Sequence, residues 1–151
     1  MIINPGDITL EESLSICKEV LKKGRELKLM PLTVTVVDVA GVIRATMSEE
    51  GSGLIRSDIA YAKAWTCLAF NVSSNTLRDI FESQPRLATA VSGMQTLADG
   101  KLVPTPGGML IQKDGKNIGA VGVTGDVSDQ DEICAIAGIE ASNLTPGHRS
   151  K

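Results

Sequence analysis

Residues 103–125 read VPTPGGMLIQKDGKNIGAVGVTG and hold six of the fifteen glycines in the chain. Two β-like runs, Met109–Lys113 and Lys116–Val123, flank the dipeptide Asp114-Gly115. Such a dipeptide suits a type I′ turn, which needs φ > 0 at both central positions, so the stretch reads as an antiparallel hairpin. The turn accounts for Gly115 but not for Gly119 and Gly122, which lie inside an arm. Glycine within a strand marks a bulge or a close approach by another backbone or a ligand. Packing of a helix or of a second subunit is the simpler cause here.

A second hairpin lies upstream. Leu32–Asp38 (LTVTVVD) is β-branched and alternating, Asp38–Gly41 supplies turn residues, and Val42–Met47 runs back. Helices surround these pairs. Thr9 and Glu12 form a capping box ahead of an apolar stripe at Leu10, Leu14, Cys17 and Leu21, with Val20 beside them, giving a helix that ends by Leu27. Ser57–Phe70 is helical and rich in small residues, with alanines at 60, 62, 64 and 69. A short helix follows from Ser74 or Asn75 to Ser83, then another turn or two within residues 87–98. Ser128 and Asp131 resemble a second capping box, opening a helix to about Ala141, and residues 142–151 read as a flexible tail. Glu49 and Glu50 fall in a polar loop and read as solvated surface. Strands adjacent in pairs with helices around them give an α+β fold with an antiparallel sheet, in one domain spanning 1–151.

Composition narrows the function classes. The four aromatic residues, Tyr61, Trp65, Phe70 and Phe81, leave the core to aliphatic side chains. A net charge of −3 argues against nucleic acid, which calls for a clustered basic face. The basic cluster Lys18, Lys22, Lys23 and Arg25 sits late in the first helix, where cations complement the dipole. MIINPGDITL at the start has no secretory pattern, and no apolar run approaches the ~20 residues of a membrane span. A cytoplasmic protein is expected. Cys17, Cys67 and Cys134 are widely spaced within expected helices, so buried thiols are expected and a metal site is not.

Five segments then resemble one known family in its own order: TLEESL (9–14), VTVVDVAG (34–41), SDIAYAKAWT (57–66), LVPTPGGMLI (102–111) and IGAVGVTGDVSDQDE (118–132). They are similar to the GlcG/HbpS-like family, the haem-degrading or haem-binding domain that includes the C-terminal domain of PduO proteins. The resemblance covers residues from about 8 to 141. It implies a profilin-like sheet of about five strands flanked by helices, assembled as a homo-oligomer (dimer, tetramer or octamer). It also implies a small-molecule ligand, haem or corrinoid in some members, and a place in a catabolic operon. Carried over by motif, the pocket residues are Asp58, Lys63, Gly107, Gly108, Thr124 and Gly125, with Lys63 and Asp58 as candidate catalytic groups.

The residues themselves support part of this. A turn leading into a helix presents backbone N–H groups and the positive dipole end, which suit a carboxylate. Lys63 adds a charge, or else it snorkels, or pairs with Asp58 or an acid of a neighbouring subunit. Asp126, Asp129, Asp131 and Glu132 read mainly as capping and dipole complements. Haem iron takes His, Met, Cys or Tyr. The single histidine, His148, lies in the tail, Cys17 sits on the first helix's apolar stripe, and Met94 and Met109 read as core filler. The expectation is an accessory protein that binds an anionic organic acid. The alternatives are an isomerase, tautomerase or lyase using Lys63 and a carboxylate, and a haem or corrinoid binder.

Overall fold

The computed structural model describes residues 7–147. Helix α1 (Leu10–Glu26) precedes the hairpin β1 (Thr33–Asp38) and β2 (Ile43–Ser48). Three helices follow: α2 (Arg56–Phe70), α3 (Ser74–Ser83) and α4 (Pro85–Gly93). The glycine-rich hairpin is β3 (Gly108–Lys113) and β4 (Lys116–Thr124), after which come α5 (Ser128–Ala141) and β5 (Thr145–Gly147). All pairings are antiparallel, in the order β2-β1-β4-β3-β5. The α+β expectation holds.

The two hairpins meet along β1 and β4, from Thr33 opposite Thr124 to Asp38 opposite Gly119. All six residues of β1 are buried, because both faces of this central strand are covered. One face carries the main core, where Ile16, Cys17 and Val20 of α1 and Cys134, Ala135 and Ile139 of α5 meet Val34, Val36, Val121 and Val123. The other face packs Ala64 and Cys67 of α2 on Val37, Leu110 and Ala120. Three of the four aromatic residues, Trp65, Phe70 and Phe81, gather in a separate cluster with Val91, Ala98 and Leu102.

Gly122 explains the glycines best. A Cβ there would stand 1.8 Å from the Ala60 carbonyl oxygen, so α2 lies backbone-to-backbone on β4. Alanines at 60 and 64 complete that close approach from the helix side, and both are fully buried.

Four local expectations are corrected. Residues 145–147 form an edge strand rather than a frayed tail, with Leu110 opposite Gly147. The rest of that tail lies outside the described residues, His148 included. At α5 the N-cap is Val127, whose side chain has no acceptor, and Ser128 lies inside the helix, so the expected capping box is not formed. Glu49 is not a solvated loop residue: it accepts from the Leu32 N–H at 2.9 Å and pairs with Arg25 Nε at 2.8 Å. Finally, α1 is rotated from its expected stripe. Its buried face is Ser13, Ile16, Cys17, Val20 and Gly24, while Leu10 is 59% and Leu14 37% exposed. Ile16 joins the expected Cys17 and Val20 on the inward face, which leaves two leucines of the expected stripe facing out.

Candidate functional site

Lys63 lies on the α2 face that packs against the sheet, and its side chain is 3% exposed. Its ammonium donates to the Pro106 and Val123 carbonyls, each at 2.9 Å, and to Asp131 Oδ2 at 3.2 Å. An ammonium has three hydrogens to donate, and three acceptors meet them. Burial lowers the Lys63 pKa, with Asp131 opposing that shift and Arg56 adding to it. Burial likewise raises the Asp131 carboxyl, against the pull of Lys63 and the Asp126 N–H. Both shifts reflect the cost of holding charge away from water.

The glycine block makes room for this pair. Gly107 has φ of +115°, and a Cβ there would lie 2.8 Å from Lys63 Nζ and 2.5 Å from the Val123 carbonyl oxygen. At Gly108 a Cβ would meet Ser74 Oγ at 2.3 Å and the Lys63 carbonyl oxygen at 2.7 Å. Thr124 and Gly125 border the centre along the chain. Thr124 Oγ1 accepts from Arg56 Nη1 at 2.9 Å, and a Cβ at Gly125 would lie 2.3 Å from the Pro31 carbonyl oxygen. Asp58 stands apart, exposed in the first turn of α2. Five residues along a helix turn the side chain through about 140° net, so Asp58 and Lys63 face different ways.

Two of the N–H donors in the turn before α5, those of Asp126 and Val127, are taken by the chain's own carboxylates. Asp131 Oδ1 accepts from the Asp126 N–H at 3.1 Å. Asp126 in turn accepts from the Val127 N–H and the Met30 N–H, each at 2.8 Å. Asp131 and Arg56 were not among the expected site residues. A signal for each exists: Arg56 and Lys63 are seven residues apart on one helical face, and a lysine on a packed face calls for a buried acid.

A more open feature lies on the outer side of α1. Leu10, Glu11, Leu14, Ser15, Lys18 and Glu19 line a groove of about 620 Å³. The lining combines two leucines with carboxylates, a hydroxyl and the Lys18 ammonium. Among the described residues it holds no imidazole, thioether, thiol or phenol, so its described donor set does not fit haem iron. Among the described residues no group of three or more His, Cys, Asp or Glu is placed to hold a metal ion. Nor is any described helix long and apolar enough to cross a membrane.

The model of the family described as "Haem degrading protein HbpS-like" matches residues 8–140. The chain belongs to this HbpS-like family. Within it, the chain is 28% identical over 140 residues to the corrinoid adenosyltransferase PduO of Salmonella typhimurium, covering 93% of this chain and 40% of that protein. The chain thus spans about two fifths of the length of that curated relative. An uncharacterized 15.0 kDa protein from the dhaT-dhaS intergenic region of Citrobacter freundii is 28% identical, covering 85% of this chain and 87% of that protein. Among solved structures, a PduOC:heme complex superposes with a TM-score of 0.81 at 27% identity, covering 95% of this chain and 99% of that one. HbpS shares the fold, with a TM-score of 0.74 at 22% identity over 91% of each chain. This HbpS-like chain therefore has the expected membership and fold.

Proposed function

We propose that this protein binds a tetrapyrrole-class small molecule, of the haem or corrinoid type, on the outer face of α1. The observation that carries this reading is the end-to-end likeness, at 27% identity, to a chain solved as a haem complex. The groove adds support. Ligand sites of ~300–1,000 Å³ lined by apolar groups and a few placed polar ones are the common type, and the α1 groove of about 620 Å³ falls in that range. Leu10 and Leu14 give a tetrapyrrole ring an apolar bed, and Lys18 gives a peripheral carboxylate its partner.

The Lys63 centre supports a different role. With three acceptors on its ammonium and 3% exposure, Lys63 ties α2 to β4, to the 106–108 segment and to α5. An anionic organic acid at the 124–126 turn competes there with the donors' present partners, Asp131 and Asp126. An isomerase, tautomerase or lyase built on Lys63 needs a substrate to displace one of the same acceptors. We therefore place ligand binding on α1 and assign the Lys63, Gly107 and Gly108 centre to holding the frame. Assembly as a homo-oligomer belongs to the same proposal. The exposed apolar residues Val42 and Ile43 at edge strand β2, with Leu54 and Ile55 before α2, give it surface.

The test is scanning calorimetry of the full chain with hemin, cobalamin and a panel of small organic acids. A ligand that binds only the folded state raises Tm by an amount that grows with the logarithm of its excess over Kd. A rise with a tetrapyrrole and none with the acids is expected. A rise with an acid alone overturns the proposal and returns attention to the 124–126 turn.

A further inference from the structure

Resting on the tetrapyrrole reading, we infer that this chain holds its ligand by the ring's apolar face and its carboxylates, and not through the central metal. The position of every described iron-ligating side chain type supports this. Cys17, Cys67 and Cys134 are fully buried. Burial also pushes their thiols up, to about 12 for Cys17 and about 11 for Cys67 and Cys134, away from the thiolate that binds metal. Met109 is fully buried, with its sulfur 3.0 Å from the Ser73 hydroxyl oxygen. Tyr61 lies on α2, across the sheet from α1, and its hydroxyl donates to the Gly41 carbonyl. Met47 packs against the main core. Met30 and Met94 are exposed, but neither lines the α1 groove. Lys18 does line it, as an ammonium with no lone pair to offer. Met1 and His148 lie outside the described residues.

What the groove offers is independent of a metal. Leu10 and Leu14, four residues apart, stand on one side of α1 and bury apolar ring surface. Lys18, one further turn along, meets a propionate-type carboxylate at the ring edge. Glu11 disfavours a second carboxylate on its own side, while Glu19 is paired with Lys22 at 3.8 Å. A metal-free ring satisfies all of these contacts.

Calorimetric titration of the full chain with hemin and with metal-free protoporphyrin IX tests the inference, alongside Leu14→Asp and His148→Ala. The expected result is a Kd for the two ligands within about threefold of each other, unchanged in His148→Ala and weakened about tenfold or more for both in Leu14→Asp. Bound hemin is expected to lack the absorption bands of a six-coordinate low-spin iron. Hemin binding about tenfold or more tighter than protoporphyrin overturns the inference, and loss of that advantage in His148→Ala would name the ligand. Equal binding of both rings that Leu14→Asp leaves intact overturns the placement on α1. Failure of both rings to bind overturns the tetrapyrrole reading itself, which separates that failure from the failure of this inference.

Discussion

Lys63 and Lys18 sit on helices that cover opposite faces of one sheet, and their surroundings differ completely. Lys63 is closed in, with two carbonyls and a carboxylate on its ammonium. Lys18 is exposed beside two leucines that the core does not use. The glycine-rich motif belongs to the first lysine. Motif density therefore marks the place where backbones and charge are packed most tightly, and the open chemistry lies where the sequence looks plainest.

The closed side is where substitution should cost most. Lys63→Met leaves Asp131 buried without its cation, and removing one partner of a buried pair costs about 3–5 kcal/mol. The urea midpoint of Lys63→Met is expected to fall accordingly. The double change Lys63→Met with Asp131→Leu is expected to recover much of the loss, because the charge and its partner leave together. Equal instability of the single and double variants would show that the two carbonyls at Pro106 and Val123, rather than the acid, are what Lys63 serves.

Gly122→Ala tests the same frame through shape alone. The added Cβ would fall 1.8 Å from the Ala60 carbonyl oxygen, a backbone atom that cannot rotate away. Overpacking of this kind costs roughly 1–3 kcal/mol, so the urea midpoint should drop with the m-value unchanged. A neutral result would mean that α2 can lift from β4 without disturbing Lys63.

Much of the frame was legible in the sequence. Asp114-Gly115 located its hairpin, Thr9 with Glu12 located the start of α1, and the alanines of α2 announced close packing. These are local signals, read from neighbours in the chain. The missed features are tertiary. Asp131 looked like a capping residue because its spacing from Ser128 fits one, yet its carboxylate turns to a lysine 68 positions away. Strand β5 is three residues long and carries Pro146 and Gly147, so it has no period to detect and exists only because the β3 edge is there to pair with. On α1 the inward face was misread because the helix carries more apolar residues than one stripe can hold. Choosing between Leu14 and Ile16 needs the sheet, not the helix.

A smaller effect separates the two acids at the α5 turn. Hydrogen bonds from the Met30 and Val127 N–H groups hold the Asp126 carboxyl below its ordinary value of 3.8. A depressed carboxyl contributes stability that is present above the unfolded value and is lost as pH falls through the folded one. Asp126→Asn is therefore expected to flatten the loss of stability below about pH 4, with a modest cost at neutral pH. Urea midpoints at stepped pH would check this. An unchanged acid limb would mean that the loop joining α1 to β1 does not depend on the carboxylate's charge.

Leu14→Asp should be the mildest change to the fold and the sharpest test of the contrast between the two lysines. Leu14 is 37% exposed and lies outside the buried face of α1, so its loss removes little core. Substitutions at such positions usually shift stability by no more than about 0.5 kcal/mol. An acid placed four residues before Lys18 also gains a favourable helical pair, which offsets part of the cost. The urea midpoint is thus expected to stay near that of the parent chain, while Lys63→Met falls well below it. If Leu14→Asp instead unfolds the chain as readily as Lys63→Met, Leu14 belongs to an interface that the folded chain needs, and the outer face of α1 is closed by a second subunit rather than left for a ligand.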